Sequence, residues 1–188
     1  MDYGPWTNTI HNLKKVSKKF LMVVFGLMAV AFGYYGYLGG FNSPQIAVTT
    51  SVPHYVAGQY YEGPADSRAF GDFFKKAGQL QESKALVGNL ANIYYNNPEE
   101  KGDTIKAFIG IAVPDTSVAL PAGYEWRLWE GGRRVVQAAM RANYLLAPDK
   151  LYPALFDYLK ANNLKARPQY LEQFPGKDSA RVEVMLIE

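Results

Sequence analysis

The sequence predicts an α+β domain that is built from two similar halves and preceded by one transmembrane helix. Three observations predict this architecture: an uncharged apolar run near the start, alternating apolar strands with two amphipathic helices after it, and an element order that occurs twice. Each half is predicted as strand–helix–strand–strand. Two such duplicated units can pair into one antiparallel sheet with two helices on one face, and we expect the opposite face to be concave and partly open.

The first predicted segment, residues 1–19, is a basic N-terminal arm. Its charged residues are Asp2 and four lysines, whereas the rest of the chain contains equal numbers of acidic and basic residues. Because the positive excess is confined to this short arm, the folded part lacks the basic surface typical of nucleic-acid-binding proteins. We therefore expect no nucleic acid among the partners.

Residues 20–38 are predicted to form the transmembrane helix. No charged residue occurs from Phe20 to Tyr61, and a helix over 20–38 would be about 28 Å long, close to the hydrocarbon thickness of a bilayer. Two alternatives stay open, namely a cleaved signal peptide with Ala29-Val30-Ala31 as its cleavage site, and a buried core helix.

The lysine arm predicts the orientation of this single-pass protein. By the positive-inside rule, the N-terminus lies on the cytoplasmic or matrix side. The C-terminal domain then lies on the opposite side, in a periplasm, an intermembrane space or a lumen. Glycine, asparagine and proline residues predict a linker over 39–44, so that the folded domain spans 45–188.

The first half of the domain is predicted from its alternating and helical patterns. Apolar residues that recur every three or four positions from Phe70 to Leu80 indicate one buried helix face. The predicted elements are a strand over 45–63 that is broken at Pro53, a helix over 66–87, and strands over 90–95 and 107–113.

The second half repeats this order. Its first strand begins at 124–129 and continues over 133–144, with a bulge or kink predicted at Gly131-Gly132. A helix from Asp149 to about Asn163 follows, and then strands over 169–174 and 181–187.

Three stretches carry a resemblance to a known family: Tyr94-Tyr95-Asn96-Asn97-Pro98, Tyr152-Pro153-Ala154-Leu155, and Tyr170-Leu171-Glu172 with Phe174. Over about residues 45–188 the chain resembles the GyrI-like domain, the gyrase-inhibitor and SOUL-related effector-binding fold. It is most similar to the membrane-anchored branch, which includes a single-pass endoplasmic-reticulum autophagy receptor. The lysine arm predicts the opposite membrane orientation to that receptor.

The resemblance implies a ligand-binding groove. In some members of the family, the groove takes amphipathic or cationic small molecules, and an acidic residue on the penultimate strand faces it. The matching residue here is Glu172, and the matching position of the first half holds Asn92. Independently of the resemblance, strand alternation places Tyr170, Glu172 and Phe174 on one face, where a carboxylate among aromatic rings suits a cation. The alternative for Glu172 is a solvent-exposed position on the strand.

Trp126 and Trp129 complete the candidate site residues. These indoles would either wall the groove, pack in the core, or contact a neighbouring subunit.

The residue inventory points away from catalysis. The chain has no cysteine and two histidines, His11 and His54, which leaves no thiolate nucleophile and no set of ligands for a zinc or iron–sulfur site. Nucleophile-elbow and phosphate-binding glycine motifs are missing as well. We expect no enzyme activity, no catalytic residue, no metal and no cofactor.

These expectations combine into a membrane-anchored, non-catalytic binding or scaffold module of GyrI-like type, in contact with membrane lipid. The first alternative is an accessory subunit of a large membrane protein complex, for example a respiratory-chain assembly in a mitochondrial or bacterial inner membrane, whose partners are other membrane-protein subunits. Another alternative is a sensor or hydrolase of an amphipathic small molecule.

Overall fold

A computed structural model describes residues 17–100 and 104–187, in two compact units that divide after Tyr37. Most of the predicted basic arm, with Lys14 and Lys15, lies outside the described residues. The elements are α1 (Lys18–Tyr37), β1 (Gln45–Thr50), β2 (His54–Pro64), α2 (Arg68–Glu82), β3 (Asn89–Tyr94), β4 (Thr104–Val113), β5 (Glu125–Trp129), β6 (Arg134–Met140), α3 (Pro148–Ala161), β7 (Ala166–Phe174) and β8 (Ala180–Leu186).

The apolar stretch near the start is a helix. The Ser17 hydroxyl accepts a hydrogen bond from the Phe20 backbone N–H at 3.1 Å and so caps the first turn of α1. The 20-residue helix is long and apolar enough to cross a membrane. None of its residues is buried in the described part of the chain, which argues against the core-helix alternative.

The second unit is an α+β domain around one eight-stranded antiparallel sheet, as the sequence predicts. The strand order is β1-β6-β8-β7-β3-β4-β2-β5. The two central strands, β7 and β3, are the corresponding strands of the two halves, so the halves meet at the middle of the sheet.

The first predicted strand of each half is in fact two strands. β1 and β2 are separated at Pro53, and β5 and β6 are separated at Gly131-Gly132. The two bent segments pair with each other on both sides of the bend, through Thr50↔Arg134 and His54↔Trp129. Between these two pairs the segment with the glycines contains one residue more than the segment with Pro53. This extra residue is the predicted bulge, and Gly132 takes a φ of +75° there.

The central strands of the sheet are buried on both faces. α2 packs mainly on β2 and β4, and α3 packs mainly on β6 and β8. The face away from the helices is buried at its centre, where Val56, Ile93, Phe108, Trp129 and Leu171 form a cluster, and it is exposed at Tyr60 and at the Glu62–Lys106 pair, so it is only partly open. The physical reason is that the central strands carry apolar residues at successive positions, which buries them on both sides.

Candidate functional site

A groove of about 1060 Å³ lies between α2 and α3, on the helix-bearing face of the sheet. Because α2 and α3 pack mainly on the strands to either side of the central pair, they leave parts of the central strands β3 and β7 uncovered between them. The groove is therefore on the face opposite to the one that the sequence analysis expected. Its lining includes residues of both helices, both central strands, and the segments that follow β3, β6 and β7: Phe70, Phe74, Leu90, Asn92, Tyr94, Glu99, Ile105, Asn143, Tyr144, Tyr152, Glu172, Phe174 and Lys177.

Glu172 lies on β7 and lines the groove, and its side chain is 3% exposed. Its direct cross-strand partner is Asn92 on β3, whose Nδ2 donates to Glu172 Oε2 at 2.9 Å. The Tyr94 side chain lies two positions from Asn92 on the same face and interacts with this carboxylate. The pKa of Glu172 is raised to about 7, chiefly because burial disfavours the charged form, with a smaller upward contribution from Glu99; the interactions with Asn92 and Tyr94 act in the opposite direction.

Glu172 forms no ion pair within residues 17–100 and 104–187. The three ion pairs found there, Lys106–Glu62, Arg127–Glu125 and Arg133–Glu130, are all exposed. A buried carboxylate is stable either as the neutral acid or beside a positive charge. With a pKa near 7, both states of Glu172 are accessible at physiological pH.

One polar group beside the groove lacks a hydrogen-bond partner. The Tyr152 hydroxyl, on α3, is buried and forms no hydrogen bond within the described part of the chain. The Tyr152 ring packs edge-on against Tyr94, with centroids 6.5 Å apart, and this contact sets it close to the Glu172 environment. An unpaired buried hydroxyl favours a bound polar group or a water molecule at this point.

The walls of the groove are apolar and largely aromatic. Phe70 and Phe74 of α2 pack edge-to-face with centroids 5.0 Å apart, and both line the groove. Ser67 accepts a hydrogen bond from the Phe70 N–H at 3.1 Å, which fixes the first turn of α2. On the other side, the Tyr144 ring lies 6.2 Å from that of Phe174. A carboxylate beneath aromatic rings is suited to hold an organic cation.

The structure brings three of the six predicted site residues into the groove: Asn92, Glu172 and Phe174. Tyr170 points to the same face of β7 but packs beside the groove, against Tyr152 and Phe156. The solvent-exposed alternative for Glu172 is wrong.

The two tryptophans lie elsewhere. Trp126 packs in a separate cluster with Ala57 and Ile111. Trp129 lies on the opposite face of the sheet, buried, with its Nε1 donating to Glu183 Oε2 at 3.2 Å. The alternation of β5 sends these two side chains to different places, so neither walls the groove.

Sequence analysis missed the roles of Tyr94, Tyr152, Phe70 and Phe74. The signal for Tyr94 was available, because it lies two positions from Asn92 and so shares its face. Within the described residues, no group of three or more histidine, aspartate or glutamate side chains is placed to hold a metal ion.

No protein-family model and no curated protein sequence matches the chain. Solved structures match it. An integron cassette protein from Vibrio cholerae is 12% identical, with a TM-score of 0.61 over 78% of this chain and 99% of that one. The C-terminal domain of EcmrR is 14% identical, with a TM-score of 0.56 over 77% and 98%. SAV2435, solved with bound tetraphenylphosphonium, is 7% identical, with a TM-score of 0.55 over 76% and 94%.

These likenesses show the fold, and they confirm that the domain has the GyrI-like fold. A further match is EcmrR in a complex with DNA, at 12% identity and a TM-score of 0.57 over 90% of this chain and 68% of that one. The DNA belongs to that complex, and the expectation that this chain binds no nucleic acid stays a prediction.

Proposed function

We propose that the domain is a non-catalytic binding module that holds a hydrophobic organic cation in the groove between α2 and α3, and that α1 anchors it to a membrane. The observation that carries the proposal is Glu172, a buried carboxylate at the floor of an aromatic groove and without a positive partner among the described residues. A bound cation supplies that partner.

The energetics favour a cation over a neutral or anionic ligand. An ionised carboxylate at this depth has lost most of its hydration, so a positive charge beside it regains electrostatic stabilisation in a medium of low polarity. Aromatic faces such as those of Phe70 and Tyr144 attract the same charge. The unpaired Tyr152 hydroxyl offers one directional contact to a polar group of the ligand.

The ligand class has support from a structural neighbour. SAV2435 shares the fold and was solved with tetraphenylphosphonium, which is a hydrophobic organic cation. That compound is therefore a suitable first probe for this chain.

Titration of the full chain in detergent with tetraphenylphosphonium at pH 8 tests the ligand proposal. We expect Glu172→Gln to weaken binding by on the order of tenfold or more, since the variant removes the buried negative charge. Glu183→Gln is the matched control, because Glu183 is an equally buried carboxylate on the other face of the sheet. Equal affinity of the original chain and Glu172→Gln would contradict the proposal.

The membrane anchor is supported by the length and composition of α1 and by the lysines that precede it. Lys18 and Lys19 form the first turn of α1, on the side that we assign to the cytoplasm or matrix. Protease treatment of sealed vesicles tests this orientation. Digestion of the domain only from the side of the lysine arm would contradict it.

A further inference from the structure

We propose that the loop over 141–146, together with Phe41, contacts the bilayer surface, and that the groove receives its ligand from the membrane interface. This inference rests on the proposed function, in that α1 must lie in the bilayer. It adds the partner of this surface, a lipid headgroup region, and the route by which an amphiphilic cation reaches Glu172.

The first step is that the domain begins without a free linker. The Leu38 carbonyl accepts a hydrogen bond from the Asn143 N–H at 2.9 Å, one residue after α1 ends. Asn42 Nδ2 donates to the Arg141 carbonyl at 2.5 Å, and Lys150 Nζ donates to the carbonyls of Gly40 and Asn42. The stretch 39–44, predicted as a linker, thus starts as part of the domain, and a bilayer that holds α1 must lie close to this loop.

The second step is that the loop exposes apolar side chains at this place. Leu145 is 66% exposed, Tyr144 is 51% exposed, and Phe41 in the stretch that the loop holds is 57% exposed. The loop has a fixed shape, because Asn143 Oδ1 accepts from the Leu145 N–H at 3.0 Å and the Asn143 carbonyl accepts from the next two N–H groups. Aromatic and aliphatic side chains beside the exposed Arg141 match the chemistry of a headgroup region.

The third step is that the same loop forms one rim of the groove. Asn143 and Tyr144 of the loop line the groove, and the Tyr144 ring packs on Phe174 inside it. A ligand that lies in the headgroup region next to Tyr144 is therefore already at the mouth of the groove. The ligand class is an amphiphile that partitions into the interface, with its charge directed to Glu172 and its apolar part against the aromatic walls.

Single-cysteine labelling of the full chain in vesicles tests the contact, and the chain has no native cysteine. An environment-sensitive fluorophore is placed at Leu145→Cys, at Leu27→Cys within α1, and at Ile187→Cys. The vesicles contain phosphatidylcholine with brominated acyl chains as quencher. Ile187 is the matched control, because it is exposed to a similar extent but lies at the other end of the β6–β8 pair. The loop follows Met140, which pairs with Ala180 at the start of β8. Ile187 follows the end of β8, where Met185 pairs with Val135.

We expect strong quenching at positions 27 and 145 and none above background at 187. Quenching at 27 without quenching at 145 overturns the inference and leaves the anchor intact. No quenching at 27 shows that the proposed anchor has failed, and the inference fails with it. Equal quenching at 145 and 187 also overturns the inference, because it reports contact without a preferred surface.

The route has its own test in Leu145→Glu, a residue that does not line the groove. Two quantities are measured for the variant and for the original chain. One is the association rate of tetraphenylphosphonium that is preloaded into the vesicles, and the other is its affinity for the protein in detergent. We expect the rate to fall about fivefold in vesicles, because an ionised carboxylate at position 145 would have to lose hydration to enter the interface, and the affinity in detergent to stay unchanged. An unchanged rate in Leu145→Glu contradicts the route through the membrane. The affinity of Glu172→Gln for tetraphenylphosphonium tests only the proposed function and does not bear on the route.

Discussion

Asn92 and Glu172 are direct partners across the central pair of strands, and Asn92 Nδ2 donates to Glu172 Oε2 at 2.9 Å. They occupy corresponding strands of the two halves, so the site lies where the halves meet. Only one of the two positions carries a charge. Two carboxylates directly opposite each other at this depth would repel, and one of them would have to stay protonated.

Replacing Asn92 by leucine is expected to raise the pKa of Glu172 above its value of about 7, because the hydrogen bond from Asn92 stabilises the ionised form. The measurement is an NMR titration of the glutamate side-chain carboxyl carbon in both proteins. Cation binding in Asn92→Leu should weaken at pH 7 and recover at higher pH, where Glu172 ionises again. An unchanged or lower pKa would show that Asn92 does not stabilise the carboxylate.

Glu172→Gln is expected to change the pH dependence of folding stability. The pKa of Glu172 is about 7 in the folded chain against 4.5 as the ordinary value, so the folded state holds the proton more tightly. Ionisation of Glu172 therefore lowers the stability of the original chain as pH rises from about 4.5 through 7, and below that window it has no effect. The variant lacks this loss, and the shift corresponds to about 3 kcal/mol at pH 8.

Urea unfolding at pH 4 and pH 8 measures this difference. We expect the stability of Glu172→Gln relative to the original chain to be higher at pH 8 than at pH 4. Saturating tetraphenylphosphonium should reduce the difference at pH 8, because it pairs with the ionised carboxylate of the original chain alone. A difference between the two proteins that is the same at both pH values would contradict a raised pKa.

The sequence predicted the elements better than their placement. Alternation placed Glu172 and Phe174 on one face, and the three-and-four spacing placed Phe70 and Phe74 on one side of α2, and both are confirmed. Sequence patterns did not reveal which face carries the groove, because that depends on how far apart α2 and α3 pack on a shared sheet. For Trp129 the sequence left the groove and the core as alternatives, and the structure shows core packing; its neighbours on the far face come from strands distant in sequence, so the pattern of β5 alone could not decide.

Trp129→Phe is expected to destabilise the domain by about 2 kcal/mol without changing cation binding. The indole Nε1 donates to buried Glu183 at 3.2 Å, and the phenyl ring leaves that carboxylate with Gln137 Nε2, at 2.7 Å, as its remaining side-chain donor. Trp126→Phe is the control, because Trp126 is only half-buried and should cost less. Urea unfolding and tetraphenylphosphonium titration measure the two effects. A loss of affinity in Trp129→Phe would show that the far face is coupled to the groove.

Gly39→Ala is expected to destabilise the start of the domain more than Gly176→Ala. Both glycines have a φ of +82°, so both variants bear the same cost of a left-handed backbone conformation, about 1 kcal/mol. A Cβ at Gly176 would meet nothing within 4 Å, whereas a Cβ at Gly39 would lie 2.5 Å from the Arg141 carbonyl oxygen. Because that clash involves backbone, the alanine must push the stretch after α1 away from the loop over 141–146. We therefore expect Gly39→Ala to lose about 2 kcal/mol more than Gly176→Ala in urea unfolding, and hydrogen exchange at the Asn143 N–H to accelerate only in Gly39→Ala. Equal losses in the two variants would show that this stretch is not held against the loop.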